Sequence, residues 1–124
     1  MSDQIDLAIE HFDQERYREA LLVFEAIWHH ERSEGLRILV LLSNSLNQLR
    51  LGLIIGPRQN LNTALRLIAE HPLPAGLPST VVRQYLEQIR AMIPDQATQP
   101  GPDWATIPRL RLGPIRTDRR AQDL

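Results

Sequence analysis

One stretch limits the fold more than any other: RYREALLVFEAIW, residues 16–28. Tyr17, Ala20, Leu21, Phe24, Ile27 and Trp28 recur at helical spacing and form an apolar stripe. Leu22, Val23 and Ala26 lie off that stripe and are apolar as well. A helix that is apolar nearly all round needs other helices to cover it. Tyr17, Phe24 and Trp28 are therefore expected to pack against Phe12 and against a third helix.

The flanking segments supply such helices. Ile5, Ala8, Ile9 and Phe12 mark a first helix over about 3–12, with Ser2 or Asp3 as its N-cap. The polar turn DQER, residues 13–16, leads into the second helix, which ends near Glu31. So short a turn makes the pair an antiparallel hairpin. Leu39, Leu42, Leu46 and Leu49 mark a third helix over about 34–51. LGLIIGP, residues 51–57, reads as a helix break, with Pro57 suited to the first turn of a fourth helix that runs to about Glu70. HPLPAGLP, residues 71–78, cannot be helical throughout. A fifth helix starts at Ser79 or Thr80 and carries Val82, Leu86, Ile89 and Ile93. The expected fold is all-α: a compact bundle of about five helices, two antiparallel hairpins and a closing helix, over residues 1–93.

Residues 94–124 differ. They hold Pro94, Pro100, Pro102, Pro108 and Pro114, and the helical period stops. PDQATQPGPD, residues 94–103, has the composition of a linker. Trp104, Ile107, Leu110, Leu112 and Ile115 are too apolar for a purely solvating end. The expectation is an extended or disordered Pro/Arg-rich tail.

Net charge is −1, so the molecule as a whole has no strong field. The charges are unevenly placed: the acids cluster in residues 1–34, whereas Arg109, Arg111, Arg116, Arg119 and Arg120 face only Asp118 near the other end. There is no lysine, which excludes a Walker-type phosphate site. There is no cysteine either, which excludes thiol chemistry and Cys-type zinc sites and fits a reducing compartment. The most apolar run, 36–55, is interrupted by Arg37, Ser43, Asn44, Asn47, Gln48, Arg50 and Gly52, too many polar groups for a membrane span. No basic-then-apolar leader is present. A cytoplasmic location without membrane contact is expected.

Leu7, Ala8, Phe12, Tyr17, Glu19, Ala20 and Phe24 fall where a tetratricopeptide hairpin places its packing residues, but no second copy follows at that period. A longer match is carried by RYREALLVFEAIW (16–28), SLNQLRLG (45–52) and GPRQNLNTALRLI (56–68). On these residues the chain resembles the DUF309 family of small all-helical proteins, over about residues 8–93. Members of that family typically carry His-Glu where this chain has Leu21 and Leu22, and often a second His where it has Asn47. The resemblance thus implies a helical fold in which a polar pair has become Leu-Leu, leaving Glu25.

Of the metal-ligating residue types, His11, His29, His30 and His71 remain, with Glu25 and His29 one turn apart. A zinc site needs three or four converging ligands, and imidazoles at the end of a helix also suit its dipole. No metal ligand, cofactor site or catalytic residue is assigned. Ser43, Asn44, Asn47 and Gln48 either line a ligand groove or form the solvent edge of a buried helix.

The function expected is non-catalytic: an adaptor, scaffold or assembly factor that binds another protein, or a second copy of itself. It would use an apolar helical surface at Leu22 and Val23 and a docking tail carrying Trp104, Leu110, Arg111 and Leu112. Alternating Arg and Leu in RLRL, residues 109–112, suits an extended segment lying in a groove. The alternatives are a degenerate metal-dependent enzyme of the DUF309 type and a nucleic-acid accessory protein acting through the Arg-rich tail. The second is disfavoured because a nucleic-acid arm should be more basic and less apolar.

Overall fold

Short local devices turn the chain between helices. In the computed structural model, which describes residues 2–96 and 98–113, Arg32 takes left-handed backbone (φ 52°) and its N–H donates to Trp28 O at 2.7 Å. Ser33 follows at once, its Oγ accepting from Leu36 N at 3.1 Å. One helix thus ends and the next begins within two residues. The elements in order are α1 (Ser2–Asp13), α2 (Tyr17–Glu31), α3 (Glu34–Arg50), α4 (Ile55–Ile68), a 3₁₀ turn (Pro74–Gly76), α5 (Ser79–Met92) and a second 3₁₀ turn (Trp104–Thr106). No strand occurs among the described residues.

Each helix packs chiefly on its neighbour in sequence. The pairs α1–α2 and α3–α4 are the two expected hairpins, and α5 closes on α4. α1 includes both residues expected as its cap. α4 begins two residues before Pro57, whose missing N–H costs nothing in a first turn. No helix among the described residues is long and apolar enough to cross a membrane.

The core is built by the stripes. Phe12, Tyr17, Phe24, Leu36, Leu39, Leu42, Leu46, Leu61, Leu86 and Ile89 are all buried. Phe12 and Tyr17 meet edge to face, centroids 5.2 Å apart. α2 is not covered on every side: Phe24 and Ile27 are buried, Val23 and Trp28 are half-buried, and Leu22 faces solvent.

The segment after α5 is tied to the bundle. Arg90 and Arg58 tie down its start: Arg90 Nη2 donates to Asp95 Oδ1 at 2.7 Å, and Arg58 Nη1 donates to Pro94 O at 3.3 Å. Beyond an exposed stretch, residues 103–113 lie on the bundle as a strap. Ile107 and Leu112 are as buried as the helical core they join. The strap is extended apart from its one 3₁₀ turn, but it is part of the packed structure, so the core does not end at residue 93.

Candidate functional site

Two places in the fold combine apolar surface with placed polar groups: the strap with the helices beneath it, and the turn between α3 and α4.

The strap begins with Asp103, whose Oδ1 accepts from Ala105 N and whose carbonyl accepts from Thr106 Oγ1 at 2.7 Å. This sets Trp104 edge-on against Tyr17, centroids 5.8 Å apart. The Arg109 guanidinium lies 3.9 Å from the Trp104 ring centre, donates to Trp104 O at 3.0 Å and pairs with Glu15 Oε1 at 3.1 Å. Tyr85 O–H donates to Pro108 O at 2.7 Å. An extended segment without a sheet partner still has backbone N–H groups to satisfy, and Asp13 takes two of them. Its Oδ1 accepts from Leu112 N at 2.6 Å and its Oδ2 from Gly113 N at 2.8 Å. A Cβ at position 113 would lie 2.5 Å from Asp13 Oδ2 and 3.3 Å from Ile9 Cγ2, so a side chain there would push the Asp13 carboxylate off the amides it binds.

Two buried tyrosines, Tyr17 and Tyr85, lie beneath the strap. The Tyr17 hydroxyl is buried with no protein hydrogen-bond partner. Burial, reinforced by the negative charge of Glu15, pushes its pKa up to about 12, against the pull of Arg109 and Arg50. Tyr85 is raised too, chiefly by burial. Arg50 Nη1 donates to Glu15 O at 2.9 Å and so joins the end of α3 to the α1–α2 turn. These groups hold the strap and the turns together.

The residues expected to anchor a partner divide accordingly. Leu22 is 53 % exposed and Val23 is half-buried on the outer part of α2. Arg111 is exposed on the strap. Trp104 and Leu110 are half-buried against the core. Leu112 is 1 % exposed and cannot present its side chain to a partner while the strap is in place. The reason is the register imposed by Asp13, which holds the Leu112 and Gly113 amides inward. Ile115, Arg116, Arg119 and Arg120 lie outside the described residues, and with them most of the basic end.

His11, His29, His30 and His71 do not converge: among the described residues no group of three or more His, Asp or Glu side chains could hold a metal ion. Where the family pattern has polar residues, Leu21 is half-buried, Leu22 is exposed, and Asn47 Oδ1 accepts from Arg50 Nη2 at 3.0 Å. No family model, curated protein or solved structure matches the chain. The chain's own surface carries distinctive chemistry.

That surface is most distinctive at the α3–α4 turn. Gln48 O accepts from both Leu51 N and Leu53 N at 3.0 Å, and Gly52 (φ 87°) supplies the left-handed residue that the turn needs. The turn holds three aliphatic side chains in solvent: Leu51 is 67 % exposed, Leu53 52 % and Ile55 50 %. Beside them is a cleft of about 300 Å³, lined by Gln48, Gly52, Leu53, Ile54, Ile55 and Gly56. Of Ser43, Asn44, Asn47 and Gln48, it is Gln48 that lines this cleft. Ser43 is buried, Asn44 is half-buried, and Asn47 Oδ1 accepts from Arg50. In the sequence LGLIIGP reads as a helix break alone. Its signal was chemical: turns usually carry polar residues, and this one carries Leu51, Leu53, Ile54 and Ile55.

Proposed function

We propose that this chain is a non-catalytic protein-binding module and that its docking surface is the α3–α4 turn. The observation that carries this reading is the cluster of Leu51, Leu53 and Ile55, each at least half exposed, around an apolar cleft. Contiguous exposed aliphatic surface costs solubility and marks an interaction site more often than a structural one. The strap is a poorer candidate than its sequence suggests, because its apolar side chains are already engaged with α1, α2 and α5.

The rival reading, a degenerate metal-dependent protein of the DUF309 type, has little to work with. The positions that would carry its polar ligands are Leu21, Leu22 and Asn47. The nucleic-acid reading rests on arginines beyond residue 113 and on Arg111.

The partner is another protein, or a second copy of this one. Full-length protein carrying Leu51→Asp and Leu53→Asp should stay folded, because neither side chain belongs to the core, and should lose the partner that the wild type captures from its native extract. Leu22→Asp should keep it. Sedimentation of the purified wild type tells self-association from a foreign partner. Retention of every captured protein by the turn variant, together with loss in Leu22→Asp, would move the docking surface to α2 and overturn the proposal.

A further inference from the structure

The strap fills a space between elements that pack elsewhere. The α1–α2 hairpin packs on α3, and α5 packs on α4. The strap lies between that hairpin and α5. Its Trp104 meets Tyr17, its Arg109 pairs with Glu15, and its Leu112 and Gly113 amides donate to Asp13. On the other side Pro108 O accepts from the Tyr85 hydroxyl of α5. Each of these attachments but the Glu15 pair also fixes the strap's direction, and every one of them ends on a side chain of the bundle. The contacts within α1–α2, α2–α3, α3–α4 and α4–α5 are made without it. The chain that joins it to α5 is exposed at Asp95, Gln96 and residues 98–101. Closure also carries a cost: the Tyr17 hydroxyl is buried with no protein hydrogen-bond partner, a state that water relieves once the strap is away. A segment held by side chains and joined through exposed chain opens at lower cost than the helices it covers.

We infer that the strap is an autoinhibitory occupant of a peptide groove between the α1–α2 hairpin and α5, and that it opens as a unit while the five helices stay folded. The strap shows what the groove takes from another chain: an extended segment with an aromatic residue for Tyr17, a proline four positions on whose carbonyl accepts from Tyr85, an arginine next to it for Glu15, and an aliphatic residue eight positions on. Asp13 requires that the last of these be followed by a residue with a free amide, so a second proline there is excluded. This surface is separate from the α3–α4 turn and does not rest on it.

Hydrogen exchange of ¹⁵N-labelled full-length wild-type protein tests the opening. The Leu112 and Gly113 amides should be protected, yet exchange about a hundredfold or more faster than those of Leu42 and Leu46 in α3, because they need a local opening and not global unfolding. Equal protection overturns the inference, and so does no protection at all. The groove is tested with residues 103–113 as a capped, fluorescent peptide, titrated into full-length Ile107→Asp with Leu112→Asp, whose own strap cannot close. This variant should keep the wild-type circular dichroism and bind the peptide saturably. Wild-type protein should bind it about tenfold or more weakly, since only its open fraction is competent. Asp13→Ala added to the open variant should weaken binding. Loss of helix in the open variant would make the strap part of what holds the helices together and overturn the inference. Absence of saturable binding, or equal affinity of the wild type and the open variant, would do the same.

Discussion

Replacing Leu112 with alanine separates two roles for the C-terminal strap. A side chain that serves only as a surface anchor contributes almost nothing to stability, and its loss should stay within about 0.5 kcal/mol. Leu112 is instead 1 % exposed and joins the same core as Ile9, Phe12 and Tyr17. Removing a buried leucine's methyl and methylene groups forfeits their transfer free energy and leaves a cavity, together about 2–5 kcal/mol. The strap is extended and can settle inward, so the lower part of that range applies, about 2–3 kcal/mol. For a chain of 124 residues this lowers Tm by roughly 10 °C. Urea unfolding followed by far-ultraviolet circular dichroism measures it directly, and an unchanged m-value keeps the comparison between the same two states. Arg111→Ala is the internal control: it is adjacent, exposed and outside the core, so it should change stability by less than about 0.5 kcal/mol. If Leu112→Ala were as silent as Arg111→Ala, the packing of the strap on the bundle would be refuted, and Leu112 would again be free to act as an anchor.

Asp13→Ala should cost about 2–4 kcal/mol, because it orphans the Leu112 and Gly113 amides, which donate to a charged acceptor; differential scanning calorimetry would show it, and a drop below 1 kcal/mol would contradict the clasp. Phe24→Ala should cost about 3–5 kcal/mol in the same assay, since the ring is fully buried in α2. Alkaline stability has a defined sign. A tyrosine whose folded pKa is raised stays protonated in the fold after the unfolded chain has begun to ionise. Stability is therefore complete below about pH 10 and declines as pH climbs towards 12, by about 3 kcal/mol for the raised pKa of Tyr17. The chain has only two tyrosines, so tyrosinate absorbance in Tyr85→Phe reports Tyr17 alone; titration of that variant near pH 10 while still folded would show the hydroxyl to be solvated.

The helices were legible in the sequence because what makes them is local. The stripe of Tyr17, Ala20, Phe24 and Ile27 repeats within one element, and so do those of α3 and α5. Each bound could be read to within about two residues from apolar periodicity and the prolines. The order of the hairpins followed from turns too short to let helices diverge. Leu21 lies on the stripe and is half-buried, and Leu22 lies off it and faces solvent; how far Val23 and Trp28 are covered depends on the placing of the neighbouring helices.

The strap and the cleft depended on tertiary structure for a different reason. Residues 103–113 have no period to betray them, and their partners lie far back in the chain. Asp13, which reads as the start of a polar turn, binds amides ninety-nine and one hundred residues later. Trp104 finds Tyr17, and Pro108 finds Tyr85, only once α1, α2 and α5 are assembled. In LGLIIGP the sequence shows apolar side chains at a break but not which way they face, because in a turn successive residues have no fixed side. Local spacing therefore determined which segments are helical and which of their faces are buried. The assembled surface alone determined that Leu112 is core and that Leu51, Leu53 and Ile55 stand in solvent. Burial of a non-periodic residue depends on contacts that neighbours along the chain do not encode.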